Sequence, residues 1–227
     1  MTILNIETST TCCSAAITMD GTPVASVENL NQANHASELP RFIEQLLTTA
    51  KLNDWHLDAV ALSQGPGSYT GLRIGASTAK GICYGLNIPL IPIDTLQVLC
   101  ASVPADMLPQ QAILCPMLDA RRMEVYTANF NSKGEQLTPV EAKILDENSY
   151  AAELAAGPVL FTGNGAEKFK ELVGNNPNAC FAPQTPHATG MRAIASAKLE
   201  AGEFEDNAYF EPFYLKDFVA GKPKKLL

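Results

Sequence analysis

The chain has 227 residues, 46% hydrophobic and 18% charged, enough for one large domain or two small ones around a sizeable core. Its net charge of −8 and pI of about 4.9 argue against unaided binding to a nucleic-acid backbone, which needs a basic face. Six cysteines (12, 13, 83, 100, 115 and 180) stand mostly among apolar or small neighbours, with no C-x-x-C and no zinc-ligand spacing, so reduced buried thiols in a cytoplasmic protein are expected. No charged-then-apolar leader opens the chain and no apolar run is long enough for a bilayer, so no membrane is expected among its partners.

Thr2 to Ile6 and Ser14 to Met19 are apolar and β-prone, Asp20-Gly21 signals a tight turn, and Pro23 to Leu30 makes a third strand. Three strands on short turns, followed by helices and further strands, fit the opening of the actin and hexokinase type of fold, whose first hairpin holds an acidic residue near nucleotide phosphates. Glu7 is the only carboxylate in the turn from Glu7 to Cys12. It reads either as that acid or as a polar end to a buried strand. Leu39, Phe42, Ile43, Leu46, Leu47 and Ala50 then form an apolar helical stripe, with Ser37 as N-cap and Pro40 in the first turn.

Leu57 to Leu62 reads as a strand, and 76–86 as a helix. Between them lies a turn built on Gly65, Pro66, Gly67, Ser68 and Gly71, with Ser68 or Thr70 as helix cap. A strand feeding a glycine-rich turn and then a helix aims bare N–H groups at one spot, so Glu7, Thr8, Gly65, Gly67 and Ser68 are candidate nucleotide or phosphate contacts. The spacing matches neither a Walker loop, a dinucleotide fingerprint nor a nucleophile elbow. Gly71, Gly75, Gly81 and Gly85 each cost helix propensity, which close packing must offset, either inside the domain or against a second subunit. Asn87 stops this helix, a strand runs to Ile93, and Asp94 starts another helix.

Prolines 104 and 109 mark a join between halves, giving domains 1–100 and 101–227, with the last residues able to pack back on the first. The second half repeats the first in outline: strands over 111–118 and 124–130, a helix over 149–156, a strand over 159–162, a helix over 166–173 and a helix over 186–201. Gly163-Asn164-Gly165 is a structural turn or a phosphate turn. Asp119 and Arg121 are a catalytic pair or a pair fixing a strand end. Lys222, Lys224 and Lys225 read as a frayed terminus. His35, His56 and His187 stand isolated.

The run Gly65-Pro66-Gly67-Ser68-Tyr69-Thr70-Gly71-Leu72-Arg73-Ile74-Gly75 resembles the signature of the TsaB (YeaZ) family. Ile3 to Ser9, Asp119-Ala120-Arg121-Arg122-Met123-Glu124-Val125-Tyr126, Gly163 to Gly165 and Glu211 to Lys216 are similar to that family's other marks, in order and over nearly the whole chain. The resemblance implies a two-lobed α/β fold of the actin-like ATPase (ASKHA) class. It implies a non-catalytic paralogue that scaffolds and activates TsaD in threonylcarbamoyl transfer to the adenosine beside the tRNA anticodon. TsaD-like proteins carry two metal-binding histidines where this chain has Thr95 and Leu99, so the metal site is expected to be absent. Leu39, Phe42, Ile43, Leu46, Leu47, Gly71, Gly75 and Gly81 are then the expected partner-binding residues. No cofactor is expected on the chain alone, with ATP or ADP and metal on the partner or at the interface. A TsaE-like ATPase joins the full complex, tRNA is met only through it, and a homodimer is open. The competing readings are a small-molecule kinase or ATPase of the same fold and, third, a metallopeptidase.

Overall fold

The computed structural model describes residues 1–31 and 34–216; the lysines of the tail, at 222, 224 and 225, lie outside the described residues. Strand β1 (Thr2–Glu7) is buried along its whole length. It pairs antiparallel with β2 (Cys13–Met19), which pairs antiparallel with β3 (Thr22–Asn29). Asp20 and Gly21, at φ 47° and 75°, take the left-handed conformations that a two-residue hairpin turn demands. On its other side β1 runs parallel to β4 (Ala59–Gly65), and β4 to β5 (Leu90–Asp94), so the first sheet has the order β3-β2-β1-β4-β5.

Helices α1 (His35–Leu52) and α2 (Tyr69–Leu86) supply the parallel crossovers and cover one face of this sheet. The period-two alternation of β1 sends Leu4 and Ile6 to that face, against Leu39, Leu46, Ala76 and Ala79. Ile3 points the other way and meets Met191 and Ala195, residues from far along the chain. The N-cap of α1 is Asn34 rather than Ser37, whose hydroxyl donates to the Asn34 carbonyl from inside the first turn. Pro40 therefore lies inside the helix, its ring exposed.

Asp94 caps α3 (Thr95–Ala101) by accepting from the Leu96 and Gln97 N–H groups at 2.7 and 3.3 Å. This helix crosses to the second sheet, where Leu96 and Leu99 pack with Leu114 and Leu118. That sheet holds β6 (Ile113–Asp119), β7 (Glu124–Thr127), β8 (Glu141–Ile144), β9 (Val159–Thr162) and β10 (Ala179–Ala182) in the order β10-β9-β6-β7-β8. Its opposite face is covered by α4 (Ala151–Ala156) and α5 (Ala166–Val173), around the rings of Tyr150, Phe161 and Phe169.

The edge strands β8 and β10 have no counterpart in the sequence reading. Each has four residues, and Glu141 and Lys143 disguise the first. The strand expected over 124–130 ends at Thr127; beyond it Phe130 makes isolated bridges to Leu114 and Gln136. The helix expected over 149–156 starts two residues later, because Tyr150 adopts φ 61°. The helix expected over 186–201 is broken into a 3₁₀ turn, Ala188–Met191, and α6 (Arg192–Ala201). Gly190 presses there on Ser102, whose Oγ lies 2.4 Å from where a Cβ would stand. The 3₁₀ turn and α6 lie on the free face of the first sheet, so each half lends a helix to the other's sheet. The segment after α6 also returns: the Glu205 N–H bonds the Leu90 carbonyl at 3.0 Å, and Phe210 is buried in the first core.

Candidate functional site

Glu7 ends the central strand and is fully buried. One carboxylate oxygen accepts from the Ser9 N–H at 2.6 Å and the other from the Ser63 hydroxyl. Burial pushes its pKa up, against the pull of these two donors. A carboxyl so enclosed does not reach into a cleft, and the kinase reading draws no support from it.

The glycine-rich turn closes over the next residues. The Ser68 N–H donates to the Ser9 carbonyl at 2.6 Å, and the Thr8 hydroxyl to the Gly71 carbonyl at 2.9 Å. A Cβ on Gly67 would stand 2.4 Å from the Ser9 carbonyl oxygen, and one on Gly71 only 2.0 Å from that of Thr8. Gly65, at φ +121°, has the Phe213 carbonyl equally near, and the Phe213 N–H bonds Gln64 at 2.7 Å. The glycines thus admit three stretches of backbone to one point. Between these loops the Gly67 backbone lies directly against the Ser9 carbonyl. Ser68 serves as N-cap, accepting from the Gly71 N–H at 3.3 Å.

The residues expected to meet a partner divide into two sets. Leu39 and Leu46 lie in the first core, and Ile43 is 93% covered. Gly75 faces inward: its Cβ would stand 2.4 Å from the Thr8 hydroxyl. Gly71 and Gly75 therefore answer to Thr8, and their smallness is used inside the lobe. Gly81 and Gly85 instead look into open space. Phe42 and Leu47 are half-buried. Between the outer sides of α1 and α2 runs an apolar groove of about 590 Å³, with Pro40, Ile43 and Leu47 on one bank and Thr78 on the other. Pro40 and Thr78 were not among the expected partner-binding residues, because a stripe and glycines do not show the groove between helices.

Thr95 and Leu99 are fully buried, Leu99 in the second core. Neither side chain offers an imidazole nitrogen. No group of three or more His, Cys, Asp or Glu residues suited to a metal occurs among the described residues. His35 contacts the Cys12 carbonyl, and His187 pairs with Glu28. Five of the six cysteines are buried, and burial pushes the Cys13 thiol up to about 12. No helix among the described residues is long and apolar enough to cross a membrane.

Asp119 does not pair with the Arg121 guanidinium. Its carboxylate accepts from the Arg121 backbone N–H at 2.6 Å and from Lys168 at 2.7 Å, while its own N–H donates to Asn164 at 2.9 Å. The turn it fixes carries two adjacent arginines, Arg121 and Arg122, at φ 73° and 50°. Left-handed backbone costs about 1–2 kcal/mol at each such residue. Gly163 and Gly165 lie against the Met117 carbonyl, which accepts from the Gly165 N–H at 2.9 Å, so this second glycine turn is also occupied by its own chain.

Two mixed five-stranded sheets that exchange covering helices define the actin-like ATPase class of fold. A ROK family transcriptional regulator shares it at 8% identity and a TM-score of 0.50, over 88% of this chain and 79% of that one. Residues 27–221 match the family model for TsaD, tRNA N6-adenosine threonylcarbamoyltransferase. The tRNA threonylcarbamoyladenosine biosynthesis protein TsaB of Bacillus subtilis is 30% identical over 176 residues, covering 76% of this chain and 75% of its own. The protein of that name from Escherichia coli is 29% identical over 98% of this chain and 97% of its own. The YeaZ crystal structure from Pseudomonas aeruginosa superposes with a TM-score of 0.77 at 26% identity, covering 94% of this chain and 99% of that one. The chain belongs to the TsaB family, within the wider TsaD group.

Proposed function

We propose that this chain is a non-catalytic subunit of tRNA threonylcarbamoyladenosine synthesis, the scaffold and activator of a TsaD-like paralogue. The observation that carries the reading is the outward face of α1 and α2. An apolar groove lined by Ile43 and Leu47 lies beside a helix whose Gly81 and Gly85 leave room for another helix to approach closely. A paralogue would bring the equivalent helix pair, and the joint would be a pseudo-twofold helical bundle. The same surface can make a homodimer, since a self-complementary patch is the ordinary route to twofold pairs. Thr95 and Leu99 support the non-catalytic half of the reading, because neither replaces a metal-binding imidazole. ATP or ADP and metal then belong to the partner or to the interface, and a TsaE-like ATPase completes the complex.

Calorimetric titration with the TsaD-like paralogue tests this. Leu47→Glu buries an unpaired charge in the joint, and Gly81→Leu holds the helices apart; each weakens binding at least ~10-fold at an unchanged melting curve. If both variants fold and bind like the wild type, the surface lies elsewhere.

A further inference from the structure

The arginine turn between β6 and β7 is left unexplained by the partner-binding reading. Both guanidiniums are exposed, and neither has a hydrogen bond or ion pair to any side chain among the described residues. The turn is nevertheless held firmly. Asp119 fixes the Arg121 N–H, the Glu124 N–H donates to the Arg121 carbonyl at 3.1 Å, and Lys168 clamps Asp119 and the Glu124 carbonyl together. Two bulky residues in left-handed backbone, with no ion pair for their charges among the described residues, are a costly way to build a hairpin turn.

The turn is also connected. Lys216, at the end of the returning segment, pairs with Glu124. Two residues earlier, Tyr214 stacks on Tyr69 with centroids 4.6 Å apart, and its hydroxyl accepts from Arg73 at 3.4 Å. Arg73 in turn lies over the Tyr69 ring. One side of the molecule therefore carries a track from Arg73 on the first lobe, past a tyrosine pair and Lys216, to Arg121 and Arg122 on the second. Glu124 neutralises Lys216 and Asp119 neutralises Lys168, so Arg73, Arg121 and Arg122 are the cations without an ion pair on this track among the described residues. Spaced guanidiniums with aromatic faces suit the phosphates of an RNA backbone.

We infer that the Arg121-Arg122 turn is a phosphate-backbone contact for the tRNA, made directly by this chain once the complex has assembled. The inference rests on the proposed role in tRNA modification, and it places on this chain one of the contacts by which tRNA is met through the complex. The acidic remainder of the chain explains why the contact would be weak alone: two or three phosphate contacts cannot hold a polyanion against overall repulsion, but they add to those of a partner.

The test uses the full chain reconstituted with its TsaD-like paralogue and a fluorescein-labelled, unmodified tRNA transcript with an adenosine beside its anticodon. Three forms are compared across a salt series: wild type, Arg121→Gly with Arg122→Asn, and Arg121→Lys with Arg122→Lys. Glycine and asparagine suit the left-handed turn, so that variant keeps or raises the melting temperature while losing both charges. It is expected to bind tRNA ~5–30-fold more weakly near physiological salt, with the slope of log K against log salt reduced by about two, while its affinity for the paralogue is unchanged. The lysine pair retains the slope. Wild-type affinity and slope in the Gly/Asn variant overturn the inference, as does equal loss in the lysine pair. Failure of the wild-type chain to assemble with the paralogue, or of the wild-type complex to modify tRNA, overturns the proposed function itself and this inference with it.

Discussion

Asp94 is a cap residue placed where its charge is costly. Burial pushes its carboxyl up to about 6, against the Leu96 and Gln97 N–H groups that favour the anion. Folding therefore takes up a proton between the ordinary value of 3.8 and about 6. The stability this group contributes is fully present below pH 3.8 and is lost as pH rises through 6, and Glu7, also pushed up by burial, acts in the same direction. Asparagine caps as well as aspartate and carries no charge. Asp94→Asn is expected to stabilise the protein by about 1–3 kcal/mol at pH 7.5 and to flatten the pH 4–6.5 part of the urea-unfolding profile. A variant less stable than wild type at pH 7.5 would show that the ionised cap matters more than its desolvation. At the same scale, Gly75→Leu drives a side chain into Thr8 and should cost about 1–3 kcal/mol in urea unfolding, whereas Gly81→Leu should cost no more than its surface position implies. The sequence marks all four helical glycines alike. Only the packing of α2 on the Thr8 turn separates those used inside from those left outside.

Among the elements, the long ones were legible and the short ones were not. α1 announces itself through a stripe of apolar residues from Leu39 to Ala50, and α2 through a serine cap at one end and Asn87, at φ 53°, at the other. β8 and β10 are too short to show a period, and they exist because β7 and β9 offer them edges. The return of the segment after α6 is tertiary information as well. Lys80 holds its Ala208 and Phe210 carbonyls at 3.1 Å, a bond across some 130 positions that no local pattern announces. Phe210 is the apolar anchor of this strap. Phe210→Ala should cost ~3–5 kcal/mol. It should also speed amide exchange at Glu205 and Phe213, whose N–H groups bond Leu90 and Gln64, more than at Leu4 in the centre of the sheet. Uniform acceleration at all three amides would mean that the strap opens only with the whole lobe.

For the whole molecule, the fold and the family were readable because five motifs stand in order along the chain. The turn that looks like an anion cradle is filled by the chain's own carbonyls, and the surface assigned to the partner is a groove between two helices. The first is local packing of the Thr8–Ser9 turn and Phe213 on the glycine turn, and the second is open space beside α1 and α2. On the function proposed above, this chain acts by binding a paralogue and performs no transfer itself. The most direct measurement is threonylcarbamoyladenosine formed on an unmodified tRNA transcript by the TsaD-like paralogue, with its ATPase and threonylcarbamoyl donor present, as this chain is titrated in. The account predicts negligible product from either protein alone, and product that rises to a plateau at one chain per paralogue. With Leu47→Glu the rise should shift to at least ~10-fold higher concentration, as an interface loss without a catalytic loss requires. Full activity of the paralogue without this chain, or product formed by this chain without the paralogue, would contradict it.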